Sequence, residues 1–169
     1  GMRQRVVIAV ALACGPKLLF ADEPTTALDV TVQAQILDLL ADQQRDRYMA
    51  MVLVTHDLGV VAGRADEIAV MYAGRIAETG PVREVIHRPA HPYSAGLMAS
   101  IPDMASHRER LHQIDGAMPR LNAIPPGCAY NPRCPRVFAP CLLLRPGLLP
   151  AGGTQAACWL HGTSAEVPA

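Results

Sequence analysis

The sequence predicts an α/β fold with parallel strands and packed helices, followed by a loop-rich appendage that contains cysteines. Helix-like and strand-like apolar segments alternate along the first hundred or so of the 169 residues. Two strand-like runs, residues 17–21 and 51–54, are apolar apart from Lys17, which is typical of parallel strands that are buried on both faces. Most of the 15 prolines and four of the five cysteines lie beyond residue 100, where periodicity is weak.

The first helix is predicted over residues 2–14, where Gly15-Pro16 ends it. This segment is apolar nearly all round after its first turn, so we expect it to be buried, with Cys14 as a core residue. A second helix is predicted over residues 32–47, because one helical stripe contains Val32, Ile36, Leu39 and Leu40.

Residues 67–79 alternate around Ala73-Gly74, which predicts two strands joined by a tight turn. Gly80-Pro81 then begins a further helix, because proline suits a first helical position. The order helix–strand–helix–strand–helix implies a parallel sheet, and such sheets bind ligands at the carboxyl ends of their strands.

The composition excludes some classes of function. The 15 basic and 15 acidic residues balance, so no electrostatic footprint indicates nucleic acid. The longest apolar run, residues 6–14, is too short to span a bilayer. Because there is no basic-then-apolar leader with a cleavage site, we expect a cytosolic chain.

Polar residues follow both buried strands, Asp22-Glu23 after the first and His56-Asp57 after the second. Paired carboxylates in this position suit metal-assisted phosphoryl chemistry, in which one holds magnesium and the other orients or deprotonates a water molecule. The alternatives are that the carboxylates cap the next helix or face solvent, and that His56 is an ordinary core or surface histidine.

Four ordered segments resemble motifs of ATP-binding-cassette (ABC) transporter ATPases, which are P-loop NTPases. Residues 1–6 (GMRQRV) resemble the end of the signature motif, and residues 18–24 (LLFADEP) resemble the Walker B segment. Residues 25–29 (TTALD) look like the D-loop, and residues 54–57 (VTHD) like the switch-histidine segment. The order and spacing agree throughout.

The resemblance implies a role for each matching residue. Asp22 would bind Mg²⁺ through water, Glu23 would be the general base for ATP hydrolysis, and His56 would contact the γ-phosphate. Asp29 would communicate across a dimer of ATPase subunits. Gly1 would present its backbone amide, at a helix N-terminus, to the γ-phosphate of ATP held by the opposite subunit.

The later part of the chain resembles the segment that follows the ATPase core in oligopeptide, dipeptide and nickel importers. The similarity lies in residues 88–98 (RPAHPYSAGLM), 119–121 (PRL) and 126–135 (PGCAYNPRCP). Composition changes near residue 101, but this resemblance places the boundary earlier. We therefore predict a partial ABC ATPase domain over residues 1–88 and an oligopeptide-transporter-type C-terminal domain over residues 89–169.

Cys128, Cys134, Cys141 and Cys158 are spaced by five, six and sixteen residues. In a cytosolic protein such a group indicates metal binding rather than disulfides, although the spacing is not that of a zinc ribbon. Some members of the resembled importer branch carry a four-iron four-sulfur cluster at matching cysteines. His161, three positions after Cys158, could substitute for one of these ligands. Zinc is the rival metal, and reduced thiols are the remaining alternative.

The sequence contains no glycine-rich P-loop to hold the phosphates of ATP. The resemblance implies an ATPase subunit that energises import of peptides or a solute such as nickel, with ATP and Mg²⁺ as cofactors, and the chain alone is expected to be inactive. The expected partners are a second ATPase subunit, transmembrane permease subunits and, indirectly, a solute-binding protein, with the chain peripheral on the inner membrane face.

Two further possibilities belong to other classes. One is a non-enzymatic module for metal-cluster binding or assembly, or a fragment of a disrupted gene. The other is a non-transporter ABC protein of DNA repair or translation, against which the neutral charge and the His-Pro-Tyr segment argue.

Overall fold

Parallel strands lie between helices in the first part of the chain, as the sequence predicts. The computed structural model describes residues 1–101 and 113–162. The chain divides into two compact units, Gly1–Arg64 and Ala65–Ala169. These bounds differ from the predicted domains, residues 1–88 and 89–169, which are defined by family resemblance and stay a prediction.

The first unit contains three helices and a two-stranded sheet. In chain order its elements are α1 (Met2–Leu12), β1 (Leu18–Asp22), α2 (Val30–Arg47), β2 (Ala50–Val54) and α3 (Leu58–Arg64). Strands β1 and β2 pair in parallel, from Leu18 opposite Ala50 to Asp22 opposite Val54. The predicted parallel pairing is therefore confirmed.

One face of this sheet is covered and the other is exposed. Ala21 and the partly buried Leu53 pack with Ile8 of α1 and with Ile36 and Leu40 of α2. Phe20 on the opposite face is 68% exposed. The predicted burial of both faces is wrong for the described chain, because its helices supply only one covering layer.

Helix α1 is likewise more exposed than its composition predicts. Ile8 and Leu12 are buried, whereas Val6, Val7 and Val10 lie more than half exposed. Cys14 follows the helix and is exposed, so its predicted core position is wrong. An apolar helix is buried all round only when neighbours surround it, and α1 has neighbours on one side.

The second unit is built on a four-stranded antiparallel sheet. Its strands and helices, in chain order, are β3 (Glu67–Tyr72), β4 (Arg75–Pro81), α4 (Val82–His87), α5 (Pro92–Ala99), α6 (Ala139–Leu143), β5 (Leu149–Ala151) and β6 (Thr154–Ala156). The strand order across the sheet is β3-β4-β6-β5. Helix α4 begins at Val82, so Pro81 occupies the N-cap position rather than the predicted first helical position, and it makes no side-chain capping bond. No helix among the described residues is long and apolar enough to cross a membrane.

The predicted turn between β3 and β4 is confirmed. Ala73 and Gly74 have φ values of 47° and 75°. Two successive positive φ values give the backbone twist that matches a two-residue hairpin, and glycine adopts the second without steric cost.

Three tyrosines form the centre of the second unit's core. The ring centroids of Tyr72 and Tyr93 lie 4.6 Å apart, and that of Tyr130 lies 5.2 Å from Tyr72 and 5.4 Å from Tyr93. Tyr93 belongs to the His-Pro-Tyr segment and Tyr130 to the cysteine-containing segment. Aromatic packing therefore joins two segments that are far apart in sequence.

A buried carboxylate ties α5 to the sheet. Glu78 of β4 is fully buried, and its oxygens accept hydrogen bonds from the backbone N–H groups of Ala90 (2.8 Å) and His91 (2.9 Å). The Thr154 hydroxyl of β6 donates a third bond at 3.2 Å. Several donors, including free N–H groups at a helix N-terminus, are the arrangement that a buried carboxylate requires.

His91 caps α5 and is held neutral. Its Nδ1 accepts a hydrogen bond from Tyr93 N at 3.0 Å, and the side chain is buried. Burial lowers the pKa of His91 from 6.5 to about 4, although the charge of Glu78 acts in the opposite direction. The imidazole is therefore uncharged at neutral pH.

We predict that His91 makes the second unit less stable in acid. Between pH 6.5 and about 4 the unfolded chain binds a proton at His91 that the folded chain does not. The free energy of unfolding should therefore decrease as the pH is lowered through this range, by up to about 1.4 kcal/mol per pH unit. Urea unfolding of chelator-treated protein, followed by the fluorescence of Trp159, the single tryptophan, measures this slope.

The matched variant is His91→Asn, which keeps a helix-capping acceptor but does not titrate. Unfolding of the His91→Asn protein should take up close to one proton fewer over this pH range, so its free energy of unfolding should depend less steeply on pH. The neighbouring residues Glu78 and His161 are the same in both proteins. Equal slopes would assign the acid sensitivity to other groups.

Candidate active site

The parallel register brings the polar ends of β1 and β2 together. Asp22 lies opposite Val54, and the pairing extends one residue further because Glu23 N donates to Val54 O at 2.8 Å. Glu23 therefore lies beside the chain that leads to His56. The two clusters of polar residues found in the sequence occupy one edge of the sheet.

Glu23 and His56 are in direct contact. His56 Nδ1 lies 2.8 Å from Glu23 Oε1. The other carboxylate oxygen, Oε2, accepts a hydrogen bond of 2.7 Å from the Thr26 hydroxyl. Both carboxylate oxygens of Glu23 thus have a partner, and the Thr26 bond is one that sequence reasoning missed.

These contacts set the charges of the pair. Hydrogen bonds from His56 and then Thr26 lower the pKa of Glu23, and the hydrogen bond to Glu23 raises the pKa of His56. Both side chains are exposed, 41% for Glu23 and 82% for His56. The arrangement favours a carboxylate beside an imidazolium, open to a ligand from solvent.

The turn that follows β1 holds Glu23 in an uncommon backbone conformation. Glu23 has φ 43° and Ala27 has φ 62°, both in the left-handed region. Thr26 N donates to Glu23 O at 3.2 Å, and Leu28 N donates to Thr25 O at 3.2 Å. Left-handed residues other than glycine and asparagine are found mostly where surrounding contacts enforce them, and functional sites are a common setting.

Asp22 is the candidate cation ligand of this edge. It is exposed at the end of β1, and its carboxylate makes no hydrogen bond or ion pair within the part of the chain that the structure describes. The free carboxylate of Asp22 offers the hard oxygen donors that Mg²⁺ prefers, whereas both oxygens of Glu23 already have partners. Asp22 therefore fits the role of a single ligand to magnesium, and within the described residues no three such side chains surround a common metal position.

Asp29 and Gly1 lie at two helix N-termini. Asp29 caps α2, where its Oδ1 accepts a hydrogen bond from Val32 N at 2.9 Å. Gly1 precedes α1, and a Cβ added to it would lie 3.1 Å from Val32 Cγ1. The two residues thus approach the same turn of α2, and their predicted roles toward a second subunit stay predictions.

A second contact that the sequence did not reveal positions the segment after His56. Asp57 caps α3 by accepting hydrogen bonds from Gly59 N and Val60 N. Gln33 of α2 donates to the other Asp57 oxygen at 3.2 Å. No local pattern predicts this bond, since it joins residues 24 positions apart.

The four cysteines beyond residue 100 line one small cavity of about 10 Å³. None is in a disulfide, and Cys141 and Cys158 are buried. Burial raises the pKa of the Cys128 and Cys134 thiols, and that of Cys158 to about 11. These three thiols, of Cys128, Cys134 and Cys158, are therefore protonated at neutral pH.

The local backbone explains how two of these cysteines meet. Cys128 N donates to Cys141 O at 2.9 Å, and Asn131 Nδ2 donates to the same oxygen at 3.1 Å. Gly127 has φ 71°, and a Cβ there would lie 2.3 Å from Cys141 O. Only glycine permits this approach.

The cysteines do not form a metal-ligand set as they stand. Within the described residues no three Cys, His, Asp or Glu side chains surround a common metal position. The cavity has room for about one water molecule. The four thiols lie near one another, as a metal centre would require, but they do not surround a common point in this structure.

Neither nearby histidine completes such a set. His91 lines the cavity, but its Nδ1 is occupied as a helix cap. His161, the substitute ligand suggested by the sequence, has Nε2 3.0 Å from Ala90 O. Each imidazole ring thus already forms a hydrogen bond with the backbone.

We predict that the raised pKa of His56 depends on Glu23. Replacing Glu23 with Gln removes the carboxylate charge and should lower the pKa of His56 toward its ordinary value. The imidazole proton shifts of His56, followed by NMR across a pH titration of the 169-residue chain without added metal, measure the change. Asp29→Asn is the control and should leave that pKa unaltered; an unaltered value in Glu23→Gln as well would mean that the pair does not form in solution.

The chain is similar to ATP-binding proteins of peptide transporters. Residues 77–141 match the model of the C-terminal region of oligopeptide/dipeptide transporters. The dipeptide transport ATP-binding protein DppD of Bacillus subtilis is 48% identical over 167 residues, which cover 98% of this chain and 50% of DppD. DppD of Escherichia coli is 50% identical over 159 residues, 94% of this chain and 49% of that protein.

The oligopeptide transport ATP-binding protein OppD of Salmonella typhimurium is 54% identical over 141 residues, 83% of this chain and 42% of OppD. The chain thus spans about half the length of the curated relatives it matches. The matched C-terminal region and the extended identity agree with the resemblance drawn from the motifs. The chain is thus related to oligopeptide/dipeptide transport ATP-binding proteins, of which it matches about half the length.

Proposed function

We propose that Asp22, Glu23 and His56 form the magnesium and γ-phosphate end of an ATP-hydrolysing site in a peptide-importing ABC transporter. The observation that carries the proposal is the Glu23–His56 contact of 2.8 Å at the carboxyl ends of two parallel strands. The free carboxylate of Asp22 beside it supports the same reading.

Each residue would have a distinct chemical task. Glu23, kept as a carboxylate by its two hydrogen bonds, would accept a proton from the water that attacks the γ-phosphate. His56 has Nδ1 toward Glu23, which leaves Nε2 to donate to a phosphate oxygen. Asp22 would hold Mg²⁺ through water, and the bound ion would offset negative charge on the phosphates.

The remaining parts of such a site would come from outside these residues. The relatives are about twice as long, and a P-loop in the other half would hold the triphosphate. The exposed faces of α1 and of the parallel sheet are where that half would pack. The signature residue Gly1 and the D-loop residue Asp29 would act across a dimer of ATPase subunits.

The names of the relatives support the substrate class, since DppD is a dipeptide and OppD an oligopeptide transport protein. We infer that this chain works with permease subunits on the cytoplasmic face of a membrane and, through them, with a solute-binding protein. Nickel remains an alternative solute.

We predict that Glu23→Gln blocks hydrolysis and spares ATP binding in a completed subunit. The chain can be completed by joining residues 1–169 to the upstream half of Escherichia coli DppD, a relative of 50% identity. Turnover should fall on the order of 100-fold or more, because the amide cannot accept the proton. Phosphate release and equilibrium ATP binding are the two measurements.

The controls separate the site from the scaffold. His56→Ala should also reduce turnover and spare binding, whereas Tyr48→Ala, an exposed position after α2, should change neither. The 169-residue chain alone should bind no ATP by calorimetry, because it supplies one end of the site only. Normal hydrolysis by the Glu23→Gln protein would remove Glu23 from the role of base.

A second, non-enzymatic proposal concerns the cysteines. We propose that Cys128, Cys134, Cys141 and Cys158 bind a metal centre, a four-iron four-sulfur cluster with zinc as the rival. The convergence of all four thiols on one cavity supports it. Binding would require the thiols to lose protons, turn toward a common centre and widen the cavity, and would stabilise loops with little core of their own.

We predict that protein prepared without oxygen is brown and contains iron, and that changing any one of the four cysteines to Ser removes the colour. Cys14→Ser is the matched control, since Cys14 is exposed and belongs to the first unit. Colourless protein with stoichiometric zinc would establish the rival metal. Colourless, metal-free protein with titratable thiols would leave only the reduced cysteines.

A further inference from the structure

Glu23 has a second hydrogen-bond partner whose task the proposed function leaves unassigned. His56 occupies Oε1 of the carboxylate, and the Thr26 hydroxyl donates to Oε2 at 2.7 Å. The two bonds reach opposite oxygens of one planar group. With one bond only, the carboxylate could move as the Glu23 side chain changed between staggered rotamers of its χ1 and χ2 torsions.

The position of the Thr26 hydroxyl is set by the backbone. Thr26 N bonds to Glu23 O at 3.2 Å, so both the main chain and the side chain of Thr26 close onto the same residue. The turn continues through Ala27 into Asp29, which caps α2. The hydroxyl is therefore carried on a turn anchored at each end, by β1 and by α2.

We propose that Thr26 is a positioning residue that holds the Glu23 carboxylate in the orientation needed to accept a proton. This inference rests on the proposed function of Glu23 as base. A base acts efficiently only when it is held close to its productive geometry, and small misplacements cost rate rather than binding. Thr26 acts through Glu23 and does not itself contact the reacting atoms.

Three variants separate the hydroxyl from the rest of the residue. Thr26→Val keeps the shape and removes the donor, Thr26→Ser keeps the donor, and Thr25→Val is the matched control in the same turn. The Thr25 hydroxyl makes no hydrogen bond within residues 1–101 and 113–162, although its carbonyl accepts from Leu28 N.

The first measurement uses the 169-residue chain as it stands. Proton couplings of Glu23 report the rotamer populations of its side chain by NMR. We expect one rotamer in the unaltered chain, in Thr26→Ser and in Thr25→Val, and averaging in Thr26→Val. A single rotamer in Thr26→Val would overturn the inference without reference to ATP.

The second measurement uses the completed subunit described above. Thr26→Val should lower kcat by about tenfold, the rate effect of losing about 1.4 kcal/mol, with ATP affinity unchanged, and Thr26→Ser should recover most of the rate. Equal loss in Thr26→Ser, an unchanged kcat in Thr26→Val, or loss of ATP binding would each overturn the positioning role.

Glu23→Gln measured in parallel distinguishes the two proposals. If Glu23→Gln is slow and Thr26→Val is normal, only the role of Thr26 fails. If the Glu23→Gln protein hydrolyses ATP at the normal rate, the proposed role of Glu23 as base is wrong, and the role of Thr26 fails with it. Adding Thr26→Val to the Glu23→Gln protein should give no further loss, since the two changes remove parts of one unit.

Discussion

The parallel register of β1 and β2 is the constraint on which the candidate site depends. Glu23 and His56 are 33 positions apart in the chain, and they meet because Asp22 lies opposite Val54 and Glu23 extends the pairing by one bond. A slip of one residue would turn the apolar set of β1 to the other face and separate the pair. The core of Ile36 and Leu40 against the inner face holds that register.

Local patterns were sufficient where one segment determines its own structure. The apolar runs predicted both parallel strands, and Ala73-Gly74 predicted the hairpin turn. The polar residues after each strand predicted the edge of the sheet where Glu23 and His56 meet. Strands β5 and β6 escaped prediction because three residues are too few for a periodicity to emerge. Burial of α1 also could not be predicted, since it depends on what surrounds a helix rather than on its own residues.

The side-chain hydrogen bonds that orient the site residues also could not be predicted from local patterns. Thr26 and Gln33 are ordinary polar residues in the sequence, and each becomes informative only when a distant carboxylate lies within hydrogen-bond distance. The number and spacing of the four cysteines predicted a metal-binding group, but they could not predict that the four line one small cavity without surrounding a common metal position among the described residues. The sequence thus indicates which chemistry is available, and three-dimensional contacts determine how its groups are oriented.

The close approach of Gly127 to Cys141 has a consequence for how variation in this segment should be interpreted. A methyl group at position 127 would overlap the carbonyl of Cys141, so an alanine there must push α6 away from the loop that carries Cys128. A genetic screen for loss of the thiol cluster should therefore recover changes at a residue that has no sulfur and no side chain. Natural sequences that keep every cysteine but lack this glycine would have lost the geometry while preserving its chemical signature.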